Sequence, residues 1–239
     1  MEFKTDAIVL KSVDYKENDK LLTLFTPSRG KVLAGIRGVR RPKSKLNFAA
    51  QPFCFAEYVL AEKGGRYTVT SAYLYDGFFE LRTDITRYYA ACAALEICNA
   101  LLMEEEQCDG AFIACVECLK NLSLTDDDCA ETLITFALQV LRESGYPVDL
   151  DGCGICGAEV SDTLYFDFEF GFFTCKSCAQ GERASQSTYE VLKKCEGLDY
   201  DEGKTEGGRK RALRLIKAYL TQKTEEEYPC FGEFLRLYE

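Results

Sequence analysis

The chain has 239 residues, 47% of them hydrophobic, and a formal net charge of -10 from 29 Lys+Arg and 39 Asp+Glu. It contains no histidine, which excludes Ser-His-Asp and Cys-His nucleophilic centres, a histidine general base and an H-E-x-x-H zinc site. No G-x-x-x-x-G-K-[ST] or G-x-G-x-x-G motif occurs either, and these absences lean toward a binding protein.

The length suits one large domain or about two to three small ones. No run of 18 apolar residues exists, so no membrane span is expected. The opening MEFKTDAIVL carries charges inside its apolar stretch and does not read as a signal peptide. Thirteen cysteines in such a chain point to a reducing compartment, the cytoplasm, where thiols are free, buried or metal-bound.

Residues 5–79 read as β structure. TDAIVLKSVDY, KLLTLFTP, GKVLAGIRGV, FCFAEYVLAE and RYTVTSAYLYD are rich in β-branched and aromatic residues, and turn signals at 27–30, 41–47 and 64–65 separate them. In the fifth segment Tyr67, Val69, Ser71, Tyr73 and Tyr75 alternate, which predicts one face of a half-buried strand. Five strands in this length predict a small barrel of the OB type.

The connection between strands three and four reads RGVRRPKSK, with Arg37, Arg40, Arg41, Lys43 and Lys45. The 37 residues from Lys20 through Ala56 contain no acid and eight bases, among them Lys31. Residues 1–45 carry net +6 and residues 46–239 net -16. Such asymmetry points to a polyanion partner, because solvated surfaces usually mix signs. The alternative is a solvated basic loop. Pro42 and Asn47 favour an exposed loop in either case.

Helical spacing begins near Leu81, with Ile85, Tyr88, Cys92, Leu95 and Leu102 on one face. A second helix is predicted over 110–122. A third starts at Asp126-Asp127-Asp128, acids suited to a helix N-terminus, and ends near Gly145-Tyr146-Pro147. Residues 185–196 and 208–223 read as helical, with a last turn or two over 230–238.

Between these helices, Cys153-x-x-Cys156 and Cys175-x-x-Cys178 are separated by 18 residues. That spacing is the one expected of a four-cysteine zinc site, closed and therefore structural. The intervening TLYFDFEFGFF reads as a hairpin with Gly171 at its turn. Two disulfides or an iron–sulfur cluster are the alternatives. Cys115 and Cys118 also spell C-x-x-C, but within a helical pattern, and read as core. Near the C-terminus, GGRKRALRLIKAYLTQK puts Lys210, Arg214 and Lys217 on one helix face, either a solvated face or a second anion contact. Asp199, Asp201 and Glu202 cluster in a Gly-containing polar segment that reads as loop, which argues against a metal-dependent nuclease.

The expected architecture is α+β and multi-part: an OB-fold β-barrel over 1–80, a helical bundle over 81–149, a zinc-binding module over 150–181, and C-terminal helices over 182–239. The candidate nucleic-acid contacts are Lys31, Arg37, Arg40, Arg41, Lys43, Lys45, Lys210 and Arg214, with Tyr67, Tyr73 and Phe53 as candidate base-stacking residues. The candidate metal ligands are Cys153, Cys156, Cys175 and Cys178, for one structural Zn2+ per chain.

The run TDAIVLKSVDYKENDKLLTLFTPSRGKVLAGIRGVRRPKSKL, the following Gln51-Pro52-Phe53 and the later paired C-x-x-C motifs resemble the bacterial RecO family of DNA repair proteins. The resemblance covers nearly the whole chain in the same order. It implies a non-enzymatic recombination mediator. Such a protein binds single- and double-stranded DNA, anneals complementary strands and helps load the recombinase with RecR and the single-strand-binding protein. It also implies a cytoplasmic, nucleoid-associated location. The acidic end TEEEYPCFGEFLRLYE departs from the more basic C-termini of that family. An alternative reading is a protein-interaction scaffold that binds acidic partner tails, with incidental DNA contact.

Overall fold

The computed structural model describes residues 2–161 and 163–238. Five strands form the N-terminal part: β1 (Glu2–Tyr15), β2 (Asp19–Thr26), β3 (Gly30–Ile36), β4 (Phe55–Lys63) and β5 (Arg66–Asp76). They close into a barrel in the order β1-β2-β3-β5-β4, with β4 returning to β1. Every pairing is antiparallel except the short parallel one between β3 and β5. This is the OB-like barrel expected from the strand pattern.

Strand β1 explains how the barrel joins the rest of the chain. Its run Ala7-Ile8-Val9-Leu10 is apolar without alternation, as a strand buried on both faces requires. Ala7 and Val9 belong to the barrel core with Leu22, Leu24, Val32, Tyr58 and Leu60. Ile8 and Leu10 belong to the helical core instead. Aromatic edges reinforce the seam: Phe25 and Phe55 meet Phe112, and Phe53 meets Tyr88. Edge-on ring pairs of this kind add to simple area burial.

The fifth strand departs from strict alternation. Its register against β4 shifts between Val59 and Leu60, because Leu60 faces Val69 whereas Val59 faces Ser71. The bulge reverses the pleat. Val69 is buried, but beyond it Ala72 and Leu74 turn inward while Tyr73 and Tyr75 stand exposed. The five alternating residues therefore do not share one face.

The helices are α1 (Ile85–Leu101), α2 (Asp109–Leu124), α3 (Cys129–Glu143), α4 (Gln186–Cys195), α5 (Gly208–Thr224) and α6 (Pro229–Leu237). The helical pattern expected from Leu81 resolves into a 3-10 turn, Phe79–Thr83, and then α1, because Asp84 caps the helix by accepting from the Arg87 N–H at 2.8 Å. Asp128 caps α3, and Ser185 caps α4. Helix α1 is alanine-rich and buried almost all round, as suits a central helix. Helix α6 has no capping side chain of its own. Glu96 of α1 supplies one, accepting from the Cys230 and Phe231 N–H groups at 2.9 and 3.1 Å. A carboxylate at a helix N-terminus is favoured by the helix dipole.

A second sheet holds β6 (Leu164–Asp167), β7 (Phe172–Cys175) and β8 (Glu182–Ala184) in the order β7-β6-β8. The hairpin read from the sequence is β6–β7, and Gly171 sits in its turn with φ +77°. Strand β8 adds an edge that the sequence pattern did not suggest. Phe166 and Phe173 pack this small sheet onto Tyr219 of α5 and Tyr189 of α4.

The connector between α1 and α2 docks on the β2–β3 hairpin. Lys31 N–H donates to the Met103 carbonyl at 3.0 Å, Glu105 N–H to that of Arg29 at 2.9 Å, and Cys108 N–H to that of Pro27 at 2.9 Å. Gly30 makes this contact possible. Its φ is +54°, and a Cβ there would lie 2.2 Å from the Met103 oxygen. Gly30→Ala is therefore expected to destabilise the protein by about 3 kcal/mol in urea titrations. Gly64→Ala, at φ +59° with open space around it, should cost only about 1 kcal/mol. Equal effects would contradict the docking.

Candidate functional site

The outward-facing residues of β3 are Lys31, Leu33 and Gly35, with Arg37 just past its end, since Val32, Ala34 and Ile36 point into the barrel. They floor a groove of about 720 Å³ on the β2–β3 face, bounded by the β1–β2 turn on one side and the β4–β5 hairpin on the other. This is the face that OB-folds use for extended ligands. Lys16, Lys20 and Arg66 line it along with Lys31 and Arg37. Leu33 is 57% exposed in the floor, and Tyr67 stands on the wall.

Lys31 and Arg37 were singled out by sequence, whereas Lys16, Lys20 and Arg66 were not. The signal for them was topological: the β2–β3 hairpin sets Lys20 opposite Ile36 with Lys16 in the turn beyond, and the parallel β3–β5 pairing brings Arg66 alongside. The Lys31 ammonium donates to the Asn99 carbonyl at 2.7 Å, which holds it at the helical end of the groove.

The basic loop leaves β3 at Arg37. Its root is pinned: Val39 is buried, Gly38 N–H donates to Asp19 at 2.8 Å, and Arg40 N–H donates to the Asn18 carbonyl at 3.1 Å. The Arg40 guanidinium pairs with Asp14 at 3.2 Å and reaches the Glu17 carbonyl. Arg37, Arg41, Lys43 and Lys45 are exposed and have no ion-pair partner among the described residues. Arg40 is thus held at the root, whereas the others are free to meet a ligand. The acid-free window of the sequence is not an acid-free surface, because Asp14, Glu17 and Asp19 fold back against the loop.

Of the candidate stacking residues, Tyr67 lines the groove. Tyr73 is 70% exposed but lies outside it. Phe53 is fully buried against Tyr88 beneath Arg82 and is core.

Lys210 and Arg214 lie on α5, away from the barrel. Arg214 is exposed and, with Arg183 and Arg211, rims a cleft of about 260 Å³ whose floor is Phe166, Phe168 and Leu215. Arg209, next in sequence, faces the other way and pairs with Glu131 at 2.6 Å and Asp128 at 3.5 Å. In the neighbouring loop Asp201 caps its own 3-10 turn and pairs with Lys204 at 3.3 Å.

The four cysteines of the paired motifs converge. Their sulfurs all lie within 4.8 Å of one another, and Cys156 and Cys175 are 3.8 Å apart. Metal–sulfur bonds of ~2.3 Å in a tetrahedron place sulfurs roughly 3.8 Å apart. A disulfide needs about 2.05 Å. The donor set and spacing therefore fit one thiophilic metal ion. The first knuckle closes through Gly157 N–H to the Cys153 carbonyl and Cys153 N–H to that of Ala158, each 2.8 Å. Gly154 is required there, because a Cβ would sit 2.4 Å from the Phe172 ring.

Backbone amides prepare the sulfurs. Burial pushes the Cys153 thiol up, but N–H groups of Cys175, Cys156 and Ile155 converge on it and hold it at about 6. Amides of Cys178 and Ser177 lower Cys175 as well. Cys178, hydrogen-bonded to Cys156, is pushed up to about 12. Metal binding takes thiolates, so a cation entering this site displaces the protons that the sulfurs still hold. The remaining nine cysteines do not form such a group among the described residues, and Cys115 and Cys118 are buried in the helical core.

Two family models match the chain: Recombination protein O N terminal over residues 1–78, and Recombination protein O C terminal over residues 82–229. A DNA repair protein RecO from Clostridium novyi is 36% identical over 200 residues, covering 80% of this chain and 75% of that one. The protein of the same name from Desulforamulus reducens is 35% identical over 196 residues, covering 80% and 76%. That from Syntrophomonas wolfei is 28% identical over 234 residues, covering 98% and 89%.

Protein purified without chelator is expected to carry one metal equivalent per chain, and Cys175→Ser less than half. Stripping the metal should lower Tm by on the order of 10 °C, as losing about 4 kcal/mol does in a chain of this size. The depressed Cys153 pKa stabilises the fold above its ordinary value, and that contribution is lost as pH falls through about 6. Metal retention should weaken over the same interval. An unchanged Tm after verified metal removal would count against a structural metal.

Proposed function

Because the chain belongs to the RecO family of DNA repair proteins, we propose that it is a recombination mediator that binds DNA through the β2–β3 groove and the basic loop beside it. The observation that carries this reading is the groove itself, in which cations surround an exposed leucine and a tyrosine on the ligand face of an OB-like barrel. Phosphates meet Lys16, Lys20, Arg37, Arg66 and the loop residues Arg41, Lys43 and Lys45. Bases lie against Leu33 and Tyr67. Phosphate contacts set affinity and position, so binding is independent of sequence. Single strands enter the groove, and duplex DNA uses the loop. Annealing follows from holding both, and the protein acts with RecR and the single-strand-binding protein to load the recombinase. It is not an enzyme. It works in the cytoplasm at the nucleoid, and its metal is one structural Zn2+. No helix among the described residues is long and apolar enough to cross a membrane.

A second reading concerns the α5 cleft. Three arginines around an apolar floor suit an acidic peptide that ends in hydrophobic residues, the chemistry of a partner's tail. Arg214 rims this cleft, and in this reading it serves protein contact and not DNA. Arg214→Glu should abolish capture of the single-strand-binding protein in a nuclease-treated pull-down and leave oligonucleotide affinity within about twofold. Loss of both together would assign the cleft to DNA.

For the groove and loop, binding should fall steeply with salt. Neutralising about 5 phosphates on a single strand gives a log–log slope of roughly -3.5. Replacing Arg37, Arg41, Lys43 and Lys45 with Ala should flatten the slope by up to about 2.8. Arg40→Ala should do less, since Asp14 already holds that guanidinium. A quadruple variant with wild-type affinity and slope would remove the loop from the interface.

A further inference from the structure

The connector between α1 and α2 reads Met103-Glu104-Glu105-Glu106, and it runs along the helical edge of the β2–β3 groove. Glu104 and Glu105 line the groove itself. Asp19 lines it too, but its carboxylate is engaged by the Gly38 N–H at 2.8 Å. The Glu105 carboxylate uses both oxygens: Arg29 Nη1 donates to Oε2 at 3.3 Å, and Tyr67 Oη donates to Oε1 at 3.1 Å. Arg29 also donates to the Tyr67 hydroxyl at 3.0 Å and lies over the Phe3 ring, 4.7 Å from its centroid. Phe3 in turn meets the Tyr67 ring edge-on. A guanidinium and a phenol, held by aromatic packing and aimed at two oxygens of one anion, are the donors a phosphate takes.

The carboxylate is held weakly. Its side chain is 56% exposed, and its ion pair with Arg29 is likewise exposed, a class worth under about 1 kcal/mol. Glu105 itself adopts φ +58°, a left-handed conformation that non-glycine residues rarely take. The backbone hydrogen bonds on either side impose it, since Lys31 N–H reaches Met103 and Glu105 N–H reaches Arg29. Strain of this sort is retained where surrounding structure over-determines it, and it clusters at ligand clamps.

We infer that residues 103–106 form an acidic strap whose Glu105 occupies a phosphate subsite made by Arg29 and Tyr67, and that single-stranded DNA displaces it. The inference rests on the nucleic-acid reading of the groove. The strap lowers affinity for isolated phosphates and small anions, because one incoming charge gains only what Glu105 loses. A strand that also engages the lysines and arginines of the groove outcompetes it. Arg29 and Tyr67 thereby become contacts made only by a ligand long enough to follow the groove to its helical end.

The test is fluorescence anisotropy with a labelled oligothymidylate at several salt concentrations. The proteins compared are wild type, Glu105→Gln, Glu106→Gln, Arg29→Gln and the Arg29→Gln/Glu105→Gln double variant, each checked for its Tm. Glu105→Gln should bind roughly fivefold more tightly at low salt, the scale of one unit-charge contact in water. Its log–log slope should steepen by up to about 0.7. Glu106→Gln removes the same charge without touching Arg29 and should gain less. In the Arg29→Gln background, Glu105→Gln should gain little. Wild-type affinity in a folded Glu105→Gln protein would overturn the strap and leave DNA binding intact. A gain that persists without Arg29 would overturn the subsite, assigning the effect to the general field. If no variant binds the oligonucleotide, the nucleic-acid reading falls and the strap with it.

Discussion

Ala7 and Val9 face the barrel interior while Ile8 and Leu10, one residue away in each case, face the helical body, and all four are nearly free of solvent. A strand buried on both faces cannot slip by one residue without exposing one apolar set and misplacing the other. Ile8, Val9 and Leu10 each contribute about 2 kcal/mol by burial. The register of β1 thus fixes the barrel and fixes where the helices sit on it. Phe25, Phe53 and Phe55 extend the same seam. With that side of the barrel covered, the β2–β3 face is left open. The choice of ligand face is therefore a consequence of core packing as much as of charge.

Charge then acts within that geometry. The N-terminal 45 residues are net positive, and the remaining chain is strongly negative. The fold does not keep the two apart. Asp14 near the end of β1 and Asp19 at the start of β2 hold the root of the basic loop, and Glu104 and Glu105 from the helical body border the groove. Exposed pairs of this kind are individually weak, so they adjust which cations are free without cancelling the site. Arg40 is engaged, while Arg37, Arg41, Lys43 and Lys45 are not. A run of five cations in sequence becomes a directed set of four in space.

Much of this was legible in the residues. Strand segments, the barrel, the helices from α1 to α5 and the convergence of four cysteines follow from local pattern, because turn glycines, β-branched runs and C-x-x-C knuckles act over a few residues. What escaped depends on longer range. The bulge in β5 arises from its pairing with β4, so the outward turn of Tyr73 could not be read from alternation alone. Strand β8 is three residues long and exists only because β6 offers it an edge. Phe53 looks like a stacking residue beside a basic loop, yet the helices bury it. Arg66 joins the groove through the β3–β5 pairing that closes the barrel, Lys16 and Lys20 through the β1–β2–β3 meander, and the approach of Glu105 to Arg29 spans 76 positions.

The four-cysteine sheet depends on distant elements in the same way. Its strands have four, four and three residues, too little to bury a core alone. Phe166 and Phe173 find their cover on Tyr219 and Tyr189, which belong to α5 and α4. A bound metal would fix the knuckles, the knuckles fix β7 through the contact of Gly154 with Phe173 and Phe172, and β7 holds β6 against α5. Arg183 on β8 and Arg211 and Arg214 on α5 meet only because that sheet is seated. The four-cysteine site lies far along the chain from the groove and contributes no residue to it. A metal held there would help assemble the second cationic surface, so its loss would act on the α5 cleft, while the barrel groove keeps its own core.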